Sequence, residues 1–115
     1  GISQTDKNNT LDSTSNMVKY IVLFKLKESR YQEKKMSVMH QFKNAIEALP
    51  QTISFIRAIY VGLNCNPDEK WDICLDSTFD TLEDVKKYAV HPDHLAAAGI
   101  IKDAKADRSC VDFEC

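Results

Sequence analysis

The spacing of apolar residues changes several times along the chain, and each change predicts a new element. Residues 17–27 are rich in β-branched and aromatic residues, which predicts a first strand. Alternate positions place on one face Val18, Tyr20, Val22, Phe24 and Leu26. The other face has Ile21 and Leu23 in its middle, between two lysines. This strand is therefore apolar on both faces.

A helical period follows the first strand. Ser29 and Gln32 have the spacing of a capping box, which predicts that a helix begins here. Apolar residues then recur every three or four positions as far as Pro50. They are Tyr31, Val38, Met39, Phe42, Ile46 and Leu49.

The second half of the chain alternates between strand and helix patterns. We predict strands over residues 53–64, 71–79 and 108–114, with Val111 and Phe113 of the last strand pointing inward. Between the last two strands lies a second helix, capped by Asp80 or Thr81. Its expected buried stripe is Leu82, Val85 and either Tyr88 or Ala89.

Pro92 is predicted to separate two helices. It lacks an N–H donor and restricts the residue before it, so it ends the second helix. It also suits the first turn of a short third helix. The apolar positions expected on that helix are Leu95, Ala98 and Ile101.

The element order βαββαβ predicts an α+β, ferredoxin-like protomer with a four-stranded antiparallel sheet. Two main helices cover only one face of such a sheet, yet the first strand is apolar on both faces. An apolar face must be buried against something. A second copy of the same sheet would do this, which predicts a two-fold homodimer through the sheet faces. Burial of that face under the N-terminal tail is the alternative.

Composition indicates one domain preceded by a polar segment. The chain has 115 residues, of which 43% are hydrophobic, enough for one packed core. Residues 1–16 are almost entirely polar and are predicted to be a flexible tail or linker, whereas residues 17–115 form the domain. A removed signal peptide would leave such a linker, so export is one expectation and a cytoplasmic location is the other.

Charge and motif content exclude several function classes. The net charge is −2, and no basic stripe indicates nucleic-acid binding. No apolar run is long enough to span a membrane. Four cysteines lack CxxC spacing, so a zinc site is not expected, while disulfides depend on the compartment. With three glycines and no phosphate-binding loop, the chain is expected to use no cofactor.

The segment from Tyr88 to His94 carries the candidate chemistry. Tyr88, His91 and His94 are spaced three apart around Pro92. His94 could act as a general base near neutral pH, and Tyr88 could donate a hydrogen bond to a carbonyl or enolate oxygen. Alternatively, both histidines orient the turn and Tyr88 fills the core. Because Pro92 interrupts the segment and no further ligand is evident, no metal site is expected.

Several segments together resemble the stress-responsive dimeric α/β-barrel (Dabb) domain family. The Tyr-x-x-His-Pro-x-His run after the second helix is the most specific of them, and the match covers residues 17–114. The other segments are Val18–Lys25, Leu49-Pro50, Gly62-Leu63-Asn64, Trp71–Leu75, Phe79-Asp80-Thr81 and Val111–Glu114. The resemblance implies a ferredoxin-like protomer whose sheet pairs with that of a second protomer to form a barrel.

The resemblance also implies a site. A plant branch of the family, the polyketide cyclases, uses a tyrosine and a histidine at the positions of Tyr88 and His94, whereas His91 has a structural role in the loop. Tyr20 stands where many members have histidine, and Ile73 stands where the cyclases have another. The pocket is thus more apolar here. The implied ligand-binding residues are His91 together with Tyr20, Val22, Phe24, Val38, Met39, Phe42, Ile73 and Leu75.

Three functions remain open on the sequence. The first is a stress-associated homodimer that binds a small apolar or aromatic ligand between sheet and helices. The second is a cofactor-independent lyase, cyclase or isomerase that uses Tyr88 and His94 in proton transfer. The third is a structural oligomer whose pocket has no chemistry.

Overall fold

The computed structural model describes residues 16–115, so the predicted tail lies outside the described residues except for Asn16. The elements are β1 (Val18–Leu26), α1 (Gln32–Glu47), β2 (Ala58–Leu63), β3 (Ile73–Phe79), α2 (Leu82–Val90), α3 (Pro92–Ala98) and β4 (Lys105–Glu114). Short 3-10 turns follow α1 and α3, at Leu49–Gln51 and Gly99–Ile101. The βαββαβ order is confirmed, with the short α3 inserted before the last strand.

The four strands form one antiparallel sheet in the order β2-β3-β1-β4. Strand β3 lies between β1 and β2, which makes the β1-α1-β2 unit a split βαβ. Strand β1 is central, and its Tyr20 is level with Ser77 of β3 and Asp112 of β4. The ferredoxin-like α+β class predicted from the sequence is confirmed.

The core lies between the sheet and the helices. Alternate residues of β1 point toward the helices and are buried, as the predicted strand pattern requires. Helix α1 packs onto them through Met39, Phe42 and Ile46, which recur at helical spacing. The Phe24 and Phe42 rings meet edge to face, with centroids 5.6 Å apart. These packed side chains support the candidate site described below.

The opposite face of the sheet is covered by no element within residues 16–115. Ile21 and Leu23 lie on this open face and are half-buried by their neighbours. Strand β4 adds Val111, level with Ile21, and Phe113, level with Lys19. Val111 is 52% exposed and Phe113 is 46% exposed. Ile21, Leu23, Val111 and Phe113 are called the open-face patch below.

The predicted inward orientation of Val111 and Phe113 is wrong with respect to the helix-covered core. Directly paired residues of antiparallel strands share a face of the sheet. Because Val111 pairs with Ile21, both lie on the open face. The alternate residues Arg108, Cys110 and Asp112 then lie on the helix side. The apolar residues of this edge strand therefore do not identify the helix-covered face, because the open face of the sheet is itself apolar.

The predicted capping box is also wrong. Helix α1 begins at Gln32 after Tyr31, and no side chain caps it. Ser29 Oγ instead accepts a hydrogen bond from the Tyr31 N–H at 3.0 Å, so the hydroxyl closes a turn before the helix. In α2 the cap is confirmed as Thr81, whose Oγ1 accepts from the Asp84 N–H at 3.1 Å.

Element ends account for the remaining differences. The strand predicted from residue 53 begins at Ala58, because Ile53 and Ile56 are buried in turns that follow α1. The strand predicted from residue 71 begins at Ile73. Three residues expected on buried stripes are exposed because they lie before or at the ends of helices or on an outer face; they are Tyr31, Leu82 and Leu95.

None of the helices within residues 16–115 has the length and apolar character that crossing a bilayer requires.

Candidate functional site

The segment from Tyr88 to His94 forms the corner between α2 and α3. Helix α2 ends at Val90, and Pro92 occupies the first turn of α3, as the sequence predicts. His91 stands between them, and its Nδ1 accepts a hydrogen bond from the Asp93 N–H at 3.1 Å. This bond satisfies one free N–H of α3. His91 therefore caps a helix in this structure.

Tyr88 is fully buried beneath this corner. Its ring centroid lies 4.3 Å from that of His94, 5.2 Å from that of Phe79 and 6.2 Å from that of Tyr20. Its hydroxyl has no hydrogen-bond partner among residues 16–115. Burial raises the pKa of Tyr88 well above its usual range, so the hydroxyl keeps its proton. An unpartnered buried donor is costly to the folded state.

His94 is held by the end of α2. Its Nδ1 lies 3.1 Å from the carbonyl oxygen of Ala89, one of the last carbonyls of that helix. Because a carbonyl only accepts, Nδ1 must carry the proton in this hydrogen bond. The neutral ring then has its free lone pair on Nε2. His94 is thus oriented as a base or hydrogen-bond acceptor.

The charge state of His94 follows from its surroundings. Burial lowers the pKa of His94 below the ordinary 6.5, and the positive charge of Arg108 acts in the same direction. The hydrogen bond to Ala89 opposes them without reversing the shift. His94 is therefore neutral at pH 7, which is the form that can accept a proton.

This shift predicts a pH dependence of stability. Below pH 6.5 the unfolded chain binds a proton at His94 more readily than the folded chain does. The free energy of unfolding should therefore fall as the pH drops from about 6.5 to the lowered pKa of folded His94, and should not depend on this group above about pH 7.5. Urea unfolding of the wild type and His94→Gln between pH 5 and 8 measures the difference. A difference that stays constant over this range would contradict the assignment.

Tyr20 and Arg108 form a second polar pair beside His94. Arg108 Nη2 donates to the Tyr20 hydroxyl at 2.8 Å. Burial raises the pKa of Tyr20, and the nearby Arg108 cation only partly opposes this effect. Since the Tyr20 oxygen accepts from Arg108, its own proton is free to point elsewhere.

Sequence reasoning missed Arg108. The expectation that Val111 and Phe113 point inward placed Arg108 on the opposite face. The pairing of Arg108 with Phe24, whose side chain is buried under the helices, reverses this assignment. Arg108, Cys110 and Asp112 alternate in the sequence, and this pattern would have placed Arg108 on the helix side if the register of the strand had been known.

These groups meet at a partly enclosed cavity of about 160 Å³ between the sheet and the helices. Its lining is Tyr20, Val22, Phe24, Phe42, Leu75, His94, Ala98, Lys105 and Arg108. Five residues expected to bind a ligand are among them, together with the candidate base His94. The other four lie elsewhere: Met39 and Ile73 are buried in the core, Val38 lines a separate groove beside the start of α1, and His91 caps α3. Tyr88 lies behind His94 and Tyr20 rather than in the lining.

Other concave regions offer less chemistry. A more open groove of about 390 Å³ near Asp80 and Phe113 is lined by three carboxylates and no histidine or arginine. Within residues 16–115, no cluster of three or more His, Cys, Asp or Glu side chains is arranged to hold a metal ion. All four cysteines, which lie in this described range, are free. Burial and the charge of Asp76 raise the pKa of the Cys74 thiol, which leaves it a poor nucleophile at pH 7.

Comparison with known proteins identifies relatives of the domain. The model of the stress responsive A/B barrel domain family (Dabb) matches residues 18–115. A dimeric protein of unknown function with a ferredoxin-like fold from Bacteroides fragilis is 57% identical, with a TM-score of 0.84, and the match covers 86% of this chain and 96% of that one. No curated protein matches the chain.

Two further solved structures share the fold at lower identity. A dimeric ferredoxin-like protein of unknown function from Thermobifida fusca is 24% identical, with a TM-score of 0.72, covering 95% of this chain and 100% of that one. A hydroxynitrile lyase from Passiflora edulis is 15% identical, with a TM-score of 0.66, covering 86% of this chain and 93% of that one. At these identities the likeness concerns the fold alone.

Proposed function

The chain belongs to the stress responsive A/B barrel domain family, and we propose that it is a homodimer in which each protomer binds a small apolar or aromatic ligand beside His94. The observation that carries the ligand proposal is the cavity. Apolar walls from Val22, Phe24 and Leu75 meet a few polar groups at one place, which is the usual composition of a small-molecule site. The buried ring of Tyr88 packs against Tyr20 and His94, which belong to this lining.

The open-face patch supports the homodimer. It places two half-buried and two exposed apolar residues on one side of a sheet that nothing else in residues 16–115 covers. A two-fold dimer would bury the same patch on both copies. The relatives from Bacteroides fragilis and Thermobifida fusca are described as dimeric. The function of this chain is therefore proposed for the dimer.

Filling the cavity tests the ligand proposal. Benzamide serves as a neutral aromatic probe, and a site for one ring should bind it with a Kd on the order of 1 mM, or about −4 kcal/mol. Ala98→Leu extends a lining residue into the cavity, and should weaken binding at least about tenfold. Calorimetric or NMR titration measures both values.

Ala96→Leu is the matched control, because Ala96 lies on the same helix but is exposed. It should leave benzamide binding unchanged. Equal affinities for Ala98→Leu and the wild type would place the probe outside the cavity, and absence of binding to the wild type would contradict the ligand proposal. Absence of both binding and turnover would favour a structural oligomer.

The geometry of His94 supports a second candidate, a cofactor-independent lyase, cyclase or isomerase. With its Nδ1 proton donated to Ala89, His94 can take a proton from a carbon acid onto Nε2. The electron pair of the broken C–H bond then forms an enolate. A hydrogen bond from the hydroxyl of Tyr20, which lines the cavity, would stabilise its oxygen. The proton returns from Nε2 when the product forms, so no further reactant is required.

Proton exchange tests this candidate without knowledge of the natural substrate. Phenylacetone in D₂O exchanges its α-protons for deuterium, and ¹H NMR follows the loss of signal. The wild type should accelerate exchange beyond the buffer rate. His94→Ala should reduce that acceleration by about 10²–10⁴-fold, the range expected for loss of a general base. Exchange that is equally fast with His94→Ala, or no faster than buffer with the wild type, would count against the enzyme.

A further inference from the structure

Arg108 gives the cavity a positive charge at its polar end. From its position on β4, this side chain lies across from Phe24 and reaches the hydroxyl of Tyr20. Lys105 of the same strand also lines the cavity, with its Nζ 6.0 Å from the Phe24 ring centroid. Two cations thus border a mainly apolar space.

No acidic residue is among those that line the cavity within residues 16–115. The two nearest carboxylates along β4 are not part of the lining. Asp107 accepts a hydrogen bond from the backbone N–H of Arg108 at 2.8 Å, and Asp112, level with Tyr20 on the helix side, lines the separate groove near Asp80. The guanidinium itself donates to a neutral phenol. Its remaining N–H donors meet no acceptor within residues 16–115, so they can bind an anion.

We propose that the cavity selects ligands in which an aromatic or apolar group carries a carboxylate, and that Arg108 binds the carboxylate. This inference rests on the proposed ligand-binding function and names the ligand class. The planar guanidinium matches a carboxylate and forms charge-assisted hydrogen bonds with it. The Tyr20 hydroxyl, which accepts from Arg108, donates its own proton to the same group.

The size of the cavity agrees with such a ligand. A volume of about 160 Å³ is enough for roughly one benzene-sized ring. With the carboxylate at Arg108 and Tyr20, the ring would contact Val22, Phe24 and Leu75, which are buried. The anion is then placed at the wetter edge strand and the ring in the dry part of the cavity. This division matches the polarity of the lining.

Benzoate and benzamide test the inference because they have nearly the same shape and differ in charge. We expect the wild-type protein to bind benzoate at least about tenfold more tightly than benzamide at low ionic strength. Arg108→Gln should abolish this preference while benzamide binding persists, which also shows that the variant is folded. Arg30→Gln is the control, since Arg30 is an exposed cation in the loop before α1. It should keep the full preference.

Three results would overturn the inference. Equal binding of both probes to the wild type would refute the carboxylate but retain the proposed ligand function. Binding of neither probe would refute both. An unchanged preference in Arg108→Gln would refute the role of Arg108. If that variant does not fold, the effect of added NaCl on the wild-type protein decides. Salt should weaken the binding of benzoate but not the binding of benzamide, and benzoate binding that does not depend on salt would contradict the inference.

Discussion

Val111→Asp is expected to convert the proposed homodimer into folded monomers. Val111 lies in the open-face patch and is 52% exposed in the protomer, so the isolated fold can tolerate a charge there. In a two-fold interface each dimer would bury two such carboxylates without partners. Repulsion between the two charges and the loss of their hydration should weaken dimerisation by several kcal/mol. A loss of about 3 kcal/mol already raises the Kd of the dimer more than a hundredfold. Light scattering across a range of protein concentrations measures the change.

Leu95→Asp is the matched control for this substitution. Leu95 is 55% exposed on α3, on the other side of the molecule from the open-face patch. The same change of an exposed apolar residue to aspartate should leave the molecular mass at that of a dimer. Circular dichroism checks that both variants are folded. A Val111→Asp protein that dimerises as tightly as the wild type would contradict the proposed interface.

Two substitutions of Tyr88 should change the free energy of unfolding in opposite directions. Tyr88→Ala removes a fully buried ring that contacts three others and should cost about 3–5 kcal/mol of unfolding free energy. Tyr88→Phe keeps the ring and removes only the unpartnered hydroxyl. Since an unsatisfied buried group costs about 1–3 kcal/mol, this variant should be more stable than the wild type by an amount in that range.

Urea unfolding of the ligand-free proteins at one pH and one concentration measures these changes. The concentration must be fixed because the stability of a dimer depends on it. If Tyr88→Phe is less stable than the wild type, the hydroxyl has a hydrogen-bond partner in solution. That result would contradict the assignment of this hydroxyl as an unpartnered buried donor.

The sequence predicted the fold more completely than the site because apolar periodicity reports burial. The pattern of β1 and α1 placed Phe24 and Phe42 correctly in one core. The chemistry of Pro92 predicted the corner between α2 and α3. Each of these depends on residues close together in sequence. Element ends were less well predicted, since hydrogen bonds in turns decide where Ser29 and Ile53 lie.

The cavity required information that local patterns do not contain. Which face of β4 lies under the helices is set by its register with β1, a pairing across about 90 residues of chain. The apolar residues of β4 lie on the open face, and the polar Arg108 lies on the covered one. A rule that apolar residues point inward therefore fails for this strand. The same reversal exposes the open-face patch and brings a cation to the cavity.

NMR of protein labelled with ¹⁵N in histidine tests the central claim, that a small ligand binds in the cavity beside His94. Before ligand is added, the His94 ring should show the Nδ1-protonated neutral form at pH 7. Titration with benzamide should shift the Nε2 resonance of His94 to saturation with a single Kd, and Ala98→Leu should abolish that shift. His40, exposed on α1, should not respond. A His94 resonance that stays unchanged at saturating probe would contradict the account.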